Sequence, residues 1–312
     1  MTENSIAISV EGLVKDYPGL RAVDGISFNI RQGEIFGVVG PNGAGKTTTI
    51  ECIEGLRKPD GGSIEVLGHN AITEQRKLRE IIGVQLQTTA LYDHMKVREA
   101  LKLFASLYSK KIDWGKDYEK LMGPLDLNDK IDSFYQGLSG GQKQRLHIAL
   151  AMVHDPEVIF LDELTTGLDP QARRKMWDLL RSIREKGKTI FLTTHYMEEA
   201  EYLCDRVAIF DQGKIIALDS PSGLISSLGG NNRILFSIPD GTTESEFSKF
   251  DHVSRVERLD GRYILYSSES SKVLMELIKN AEAQNWTLDD LHVQKANLED
   301  VFLSLTGKEL RE

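Results

Sequence analysis

The sequence predicts an α/β fold with a mainly parallel sheet, followed by a small α+β domain, and three features carry that prediction. IFGVVG (35–40), VIFLD (158–162) and TIFLTT (189–194) are short unbroken apolar runs, as expected of strands buried on both faces of a parallel sheet. Helical segments alternate with them at the spacing of βαβ units. After SSLGGNN (226–232), a small, polar, glycine-rich linker, the rhythm changes to shorter strands and helices. At 312 residues the chain has room for two domains, read here as 1–225 and 233–312.

In chain order, the first 35 residues alternate apolar and polar around turns at Tyr17-Pro18-Gly19 and Arg31-Gln32-Gly33-Glu34, so they read as antiparallel strands. The strand 35–40 runs through a glycine-rich turn into a helix from Lys46 to about Leu56. PDGGSIEVLG (59–68) reads as a hairpin and IIGVQLQ (81–87) as another strand. Between about Val97 and Lys130 helical periodicity and charge dominate, as expected of a mostly helical insertion, bounded at about 88–157 between Gln87 and Asp162, and a further helix starts near Ser139. Then come the strand 158–162, a helix over 171–186, the strand 189–194, a short acidic helix, and the strands VAIFD and KIIAL. Beyond the linker the order is strand, helix, strand, strand, helix, strand. Asp260-Gly261 marks a hairpin between the middle pair, so the order reads as a split-βαβ, ferredoxin-like arrangement with a last helix at Leu298 to Leu305.

Composition narrows the function. With 47 acidic and 38 basic residues the chain carries −9, so it lacks the positive field of a general nucleic-acid binder and no nucleic-acid partner is expected. Its two cysteines, Cys52 and Cys204, are too few for a disulfide scaffold or a zinc cluster, which fits a reducing cytoplasm. The first residues show no basic-then-apolar secretory pattern. No apolar stretch approaches the roughly 18–20 residues that cross a bilayer, so at a membrane another chain would supply the spans.

GPNGAGKT (40–47) satisfies G-x-x-x-x-G-K-[ST], with an apolar strand before it and a helix after it. Gly40, Gly43 and Gly45 allow backbone turns that aim successive N–H groups at one point, where the helix also presents its positive end. Pro41, Asn42 and Ala44 complete the loop. Lys46 supplies a point charge for terminal phosphates, Thr47 a hydroxyl for Mg2+, and Thr48 a further donor. VIFLDE (158–163) then ends a buried strand in two acids, where ligands gather in open parallel sheets. Asp162 would hold Mg2+, and Glu163 would orient or deprotonate an attacking water.

LSGGQ (138–142), between those motifs, resembles the nucleotide-binding subunits of ATP-binding cassette (ABC) transporters. By itself, Ser139 and Gln142 form S-x-x-Q, a capping box, and Gly140 and Gly141 leave amides open at a positively polarised helix end. The resemblance implies more: this segment faces ATP held by the phosphate loop of a second subunit, so two nucleotides lie sandwiched in a dimer. It also implies that Tyr17 stacks on adenine and that Gln87 is the glutamine that reaches the catalytic metal. Gln85 points the same way along the strand, and similarity selects Gln87. Asp169 in TTGLDP would communicate across the dimer, and His195 would contact the γ-phosphate.

The resemblance covers about residues 5–222, with the motifs in family order and one departure: Leu164 stands where a proline usually follows the catalytic glutamate. That substitution leaves less rigidity expected in the loop. The family implies ATP and Mg2+ as cofactors, a separate membrane permease and a second cassette subunit as partners, docking through the helical insertion, and a peripheral place on the cytoplasmic face of the membrane. NLEDVFLSLTGKEL at the end is similar to ATPase subunits of ABC-2 type exporters, drug-resistance ATPases of the daunorubicin type among them. A cassette acting on ribosomes or DNA fits poorly with one cassette and net negative charge, and a binding module without turnover fits poorly with Lys46, Asp162, Glu163 and His195 all present.

Overall fold

A computed structural model describes residues 5–85, 91–109, 121–228, 230, 232–238, 244–259 and 261–307. Packing divides the chain into two compact units, Met1–Leu218 and Asp219–Glu312.

In the first unit, β1 (Ile6–Tyr17) and β2 (Leu20–Arg31) form a long hairpin, joined by β4 (Gly61–Val66) and β5 (His69–Asn70) in the antiparallel order β2-β1-β4-β5. The segment 59–68 is therefore less a free hairpin than a strand laid on β1, its register running from Ile8↔Val66 to Val14↔Gly61. The second sheet has the order β10-β9-β3-β8-β7-β6. Its strands are β3 (Ile35–Val39), β6 (Ile82–Gln85), β7 (Val158–Asp162), β8 (Thr189–Thr194), β9 (Arg206–Asp211) and β10 (Lys214–Asp219). From β9 through β6 every neighbouring pair is parallel. Every residue of β3, β7 and β8 is buried, which explains their unbroken apolar spelling.

The two sheets close on one core. Phe28 stacks on Phe36 at 5.3 Å between ring centres, and Phe191 lies against Phe36 and Phe160 at 6.0 and 5.6 Å. Helices α1 (Lys46–Ile53), α2 (Gln75–Ile81), α3 (Val97–Ala105), α4 (Gly140–Met152), α5 (Pro170–Glu185) and α6 (Met197–Leu203) also belong to this unit, with 3-10 turns at Asn128–Lys130 and Tyr135–Gly137. Sequence reasoning missed α2 because only Leu78 in it is buried, too thin an apolar stripe to show a period.

The second unit begins at α7 (Pro221–Ser226), earlier than the expected division at 225, because α7 packs against α10 (Leu298–Thr306). Nor is the 226–232 stretch a free tether at Gly230, whose Cα lies so close to the Ser267 backbone that a Cβ would meet it at 2.6 Å. Strands β11 (Asn232–Ser237), β12 (Arg255–Leu259), β13 (Arg262–Ser267) and β14 (Asp289–Lys295) form an antiparallel sheet in the order β12-β13-β11-β14. With α8 (Glu244–Phe247) and α9 (Ser270–Gln284) inserted between them, this is an interleaved pair of βαβ units.

One sheet face packs Ile234, Phe236, Tyr263 and Leu265 against Phe247, Val273 and Leu277. Arg233, one residue out of phase, points the other way and pairs with buried Asp300 of α10 and with Gln294 at 2.8 Å. Leu298, Val301 and Phe302 of α10 are buried and Leu305 is exposed, so most of that helix's apolar face covers its own unit.

Candidate functional site

Three neighbouring parallel strands deliver the site. In the order β3-β8-β7, Val39 stands opposite Thr194, and Asp162 opposite Thr193. The loop after β3, the acids ending β7 and the residues ending β8 therefore emerge at one edge, the carboxyl edge of the sheet.

The loop 40–47 is held on two sides. At Gly40 (φ 152°) a Cβ would lie 2.3 Å from the carbonyl oxygen of Phe210 in β9, and at Gly45 (φ 100°) a Cβ would lie 2.4 Å from that of Ala22 in β2. Gly45 is the left-handed N-cap of α1, so the first amides of that helix open toward the loop. Ala44 is buried, whereas Asn42 and Gly43 are exposed and Pro41 is half-buried. The Lys46 Nζ donates to the carbonyls of Gly40 at 2.7 Å and Pro41 at 3.1 Å, and no carboxylate ion-pairs with it among the described residues. Burial holds its ammonium below the usual lysine range, and the charges of Glu163 and Asp162 oppose that shift. Thr49 turns its hydroxyl back to Gly45 O at 2.9 Å, whereas Thr47 is exposed and Thr48 half-buried.

Asp162 is buried, and desolvation raises its carboxyl above the ordinary range despite a hydrogen bond donated by Thr193 Oγ1. Glu163 has left-handed backbone (φ 49°), a conformation uncommon for a non-glycine residue. Its N–H donates to Thr193 O at 3.1 Å and to Thr193 Oγ1 at 3.3 Å, which fixes that turn. The Glu163 Oε1 lies 3.6 Å from His195 Nδ1. Leu164 is buried, so apolar packing anchors the residue where the family carries proline. Thr193 escaped sequence reasoning. Its spelling is that of any β8 strand residue, and only the register with Asp162 gives it a role.

Glu54, just past the end of α1, is another buried acid that sequence reasoning passed over. Desolvation and the neighbouring charges of Asp162 and Glu51 push its carboxyl up to about 8.

Elsewhere, Ser139 and Gln142 make the reciprocal capping box, Gln142 N to Ser139 Oγ at 3.3 Å and Ser139 N to Gln142 Oε1 at 2.9 Å. Ser139 and Gly140 are exposed. Among the described residues, a side chain added at Gly140 would meet nothing, and one at Gly141 would graze only Ala172 at 3.7 Å. Asp169 caps α5, its Oδ1 accepting from the amides of Gln171 and Ala172 at 3.0 and 2.9 Å. Tyr17 ends β1 at the hairpin turn, with Arg57 and Lys15 over its ring at 5.4 and 5.7 Å. Gln85 is buried at the end of β6, and Gln87 lies outside the described residues. The loop, Asp162, Glu163 and His195 thus gather at one edge.

A sequence profile of the ABC transporter family matches residues 23–166. The chain is 37% identical over 317 residues to the linearmycin resistance ATP-binding protein of Bacillus subtilis (strain 168), an alignment spanning 98% of this chain and 100% of that protein. It is 40% identical over 311 residues to a Nod factor export ATP-binding protein I of Paraburkholderia xenovorans (strain LB400), spanning 98% and 99%. Among solved structures, a Clostridium perfringens subunit described as part of the ABC transporter complex cbiONQ superposes with TM-score 0.66 at 28% identity, covering 72% of this chain and 92% of that one. A bacterial ABC transporter cassette solved as a dimer superposes at 0.61 with 25% identity, covering 68% and 98%. With its sequence relatives aligned across both units, and a fold shared with solved cassettes over 72% of its length, the chain belongs to the ABC transporter family as an ATP-binding subunit whose ATPase chemistry is coupled to transport.

Proposed function

We propose that this subunit binds MgATP between two cassette subunits and powers export through a separate membrane permease. The observation that carries the proposal is the meeting of the glycine loop, the Asp162-Glu163 pair and His195 at the ends of three adjacent strands. Export is taken from the names of the relatives above. No helix of the described residues is long and apolar enough to cross a membrane, which agrees with a permease on another chain and a peripheral position at the cytoplasmic face.

In this reading the loop amides of residues 40–48 hold the β- and γ-phosphates, and Lys46, with two of its protons spent on Gly40 and Pro41, turns the third toward them. Tyr17 receives the adenine. The donor set suits a divalent cation: a buried carboxylate at Asp162, an exposed hydroxyl at Thr47, and Gln87 by resemblance, in a neighbourhood that also holds Glu163 and Glu54. Mg2+ bound there would neutralise charge developing on the phosphate oxygens. Glu163 orients the attacking water and takes its proton as the oxygen bonds to the γ-phosphorus and the bond to the β-phosphate oxygen breaks, releasing ADP and phosphate. His195, beside Glu163, holds the γ-phosphate.

Gly140 supports a second subunit. Nothing among the described residues of its own chain requires a glycine there, which fits a surface kept bare for a nucleotide on another copy. A γ-phosphate bridging both copies would favour the closed pair, and its loss would release it. Tyr92, Leu103 and Leu107 are exposed on the helical insertion, as expected of a docking face for the permease.

The test is Glu163→Gln. It should bind ATP, lose most phosphate release and accumulate as a dimer with ATP on gel filtration. Turnover at the wild-type rate would remove Glu163 from its assigned role.

A further inference from the structure

Outside the groups assigned above, one contact chain leads away from the catalytic edge. Glu163 Oε1 lies 3.6 Å from His195 Nδ1, and the His195 and Tyr196 rings are 4.0 Å apart, tilted by 44°. The guanidinium carbon of Arg173 then sits 4.2 Å over the Tyr196 ring. Tyr196 is itself pinned, its N–H donating to Thr194 Oγ1 at 3.0 Å. Arg173 belongs to the first turn of α5, the turn capped by Asp169, in which the Ala172 Cβ would be 3.7 Å from a Cβ placed at Gly141. Its Nε is buried without a hydrogen-bond partner, and no carboxylate ion-pairs with it, among the described residues.

We infer that Arg173 is a positioning residue for His195, acting through the face of Tyr196, and that the stack ties the histidine to the α5 turn that carries Asp169. The physical case is one of planarity and confinement. A guanidinium held by a ring rather than by an acid keeps a defined plane, and the ring between it and His195 cannot tilt without breaking a cation–π contact. An imidazole that, on one side, meets an acid 3.6 Å away has its orientation set as well by what lies on its other side. Because the stack ends at the turn whose Ala172 Cβ would lie 3.7 Å from a Cβ placed at Gly141, the same contact couples the histidine to the neighbourhood of the segment read as meeting the second nucleotide. This inference rests on the proposed assignment of Glu163 and His195 to ATP hydrolysis.

The experiment compares steady-state ATPase activity of the purified full chain, across ATP concentrations, for Arg173→Lys, Tyr196→Leu, Tyr196→Phe and the Arg173→Lys/Tyr196→Leu pair. Glu163→Gln is run beside them. Arg173→Lys keeps charge but loses the planar stack, so kcat should fall roughly tenfold with KM for ATP within about twofold. Tyr196→Leu should match it, Tyr196→Phe should restore turnover, and the double variant should be no slower than the worse single one. Arg173→Gln, which keeps much of the side-chain length, replaces Arg173→Lys if thermal melting shows the latter unfolded. Wild-type kcat in the stack variants, additive losses, a KM that rises with the loss, or Phe as damaging as Leu would overturn the inference. If Glu163→Gln is inactive while the stack variants turn over normally, only the inference fails. If Glu163→Gln turns over normally, the assignment of the site fails and the inference with it.

Discussion

The hydroxyl of Thr193 donates to Oδ1 of Asp162 across the β8–β7 register. Thr193 Oγ1 also accepts from the Glu163 N–H, so one threonine side chain fixes the carboxylate assigned to the metal and the turn that aims the assigned base. Thr193→Val keeps the shape and removes the donor. Its half-saturating Mg2+ concentration should rise by about an order of magnitude, since a hydrogen bond to a buried carboxylate contributes roughly 1.5–3 kcal/mol. Thr193→Ser should restore the wild-type value. Mn2+ binding in the presence of ATP, followed by electron paramagnetic resonance, checks this independently of turnover.

Gly45 and Gly140 separate fold from function. Gly45→Ala places a Cβ 2.4 Å from Ala22 O at a left-handed position and should destabilise the first unit by more than about 2 kcal/mol in urea unfolding. Gly140→Ala meets nothing among the described residues, and alanine is the better helix former, so stability should stay within about 1 kcal/mol of wild type. ATP hydrolysis should nonetheless drop, because the methyl group intrudes on whatever approaches from outside the chain.

Lys46→Ala should weaken ATP binding at least tenfold on the principle that a charge-assisted contact to phosphate is lost, with isothermal calorimetry as the measurement. The desolvated ammonium has no carboxylate partner to leave behind among the described residues, so the nucleotide-free fold should survive the change.

Glu54 makes stability depend on pH. Its folded carboxyl titrates at about 8 against an ordinary 4.5, so the folded chain keeps a proton that the unfolded chain has released over that window. Stability is therefore undiminished below about pH 4.5 and falls as pH rises toward 8. Glu54→Gln removes the penalty. Urea titrations of nucleotide-free protein should show no difference between variant and wild type at pH 4 and an advantage for the variant that grows to pH 8.

Asp300→Asn should loosen the second unit. The Asp300 carboxylate pairs with Arg233 and also closes the N-terminal capping box of α10 with Asn297, so its loss strands a largely buried guanidinium and weakens a cap. A cost of about 3–5 kcal/mol is expected from the broken pair. Hydrogen exchange should show faster amides in α10 and β11, with those of β3 and β7 unchanged.

The local code was legible in the amino-acid string. Apolar runs spelled β3, β7 and β8, glycine spacing spelled the turn between β3 and α1, and Ser139 with Gln142 spelled a cap, because each depends on neighbours within a few residues. What the string could not show is which strand ends sit side by side. Thr193 faces Asp162 from 31 positions away, and Glu54 lies near enough to Asp162 for its charge to be felt. Arg173 reaches Tyr196 from another element, and α7 joins α10 rather than the β10 it follows. Sheet register and side-chain burial decide those relations, and both arise only when elements distant in sequence exclude water from between them.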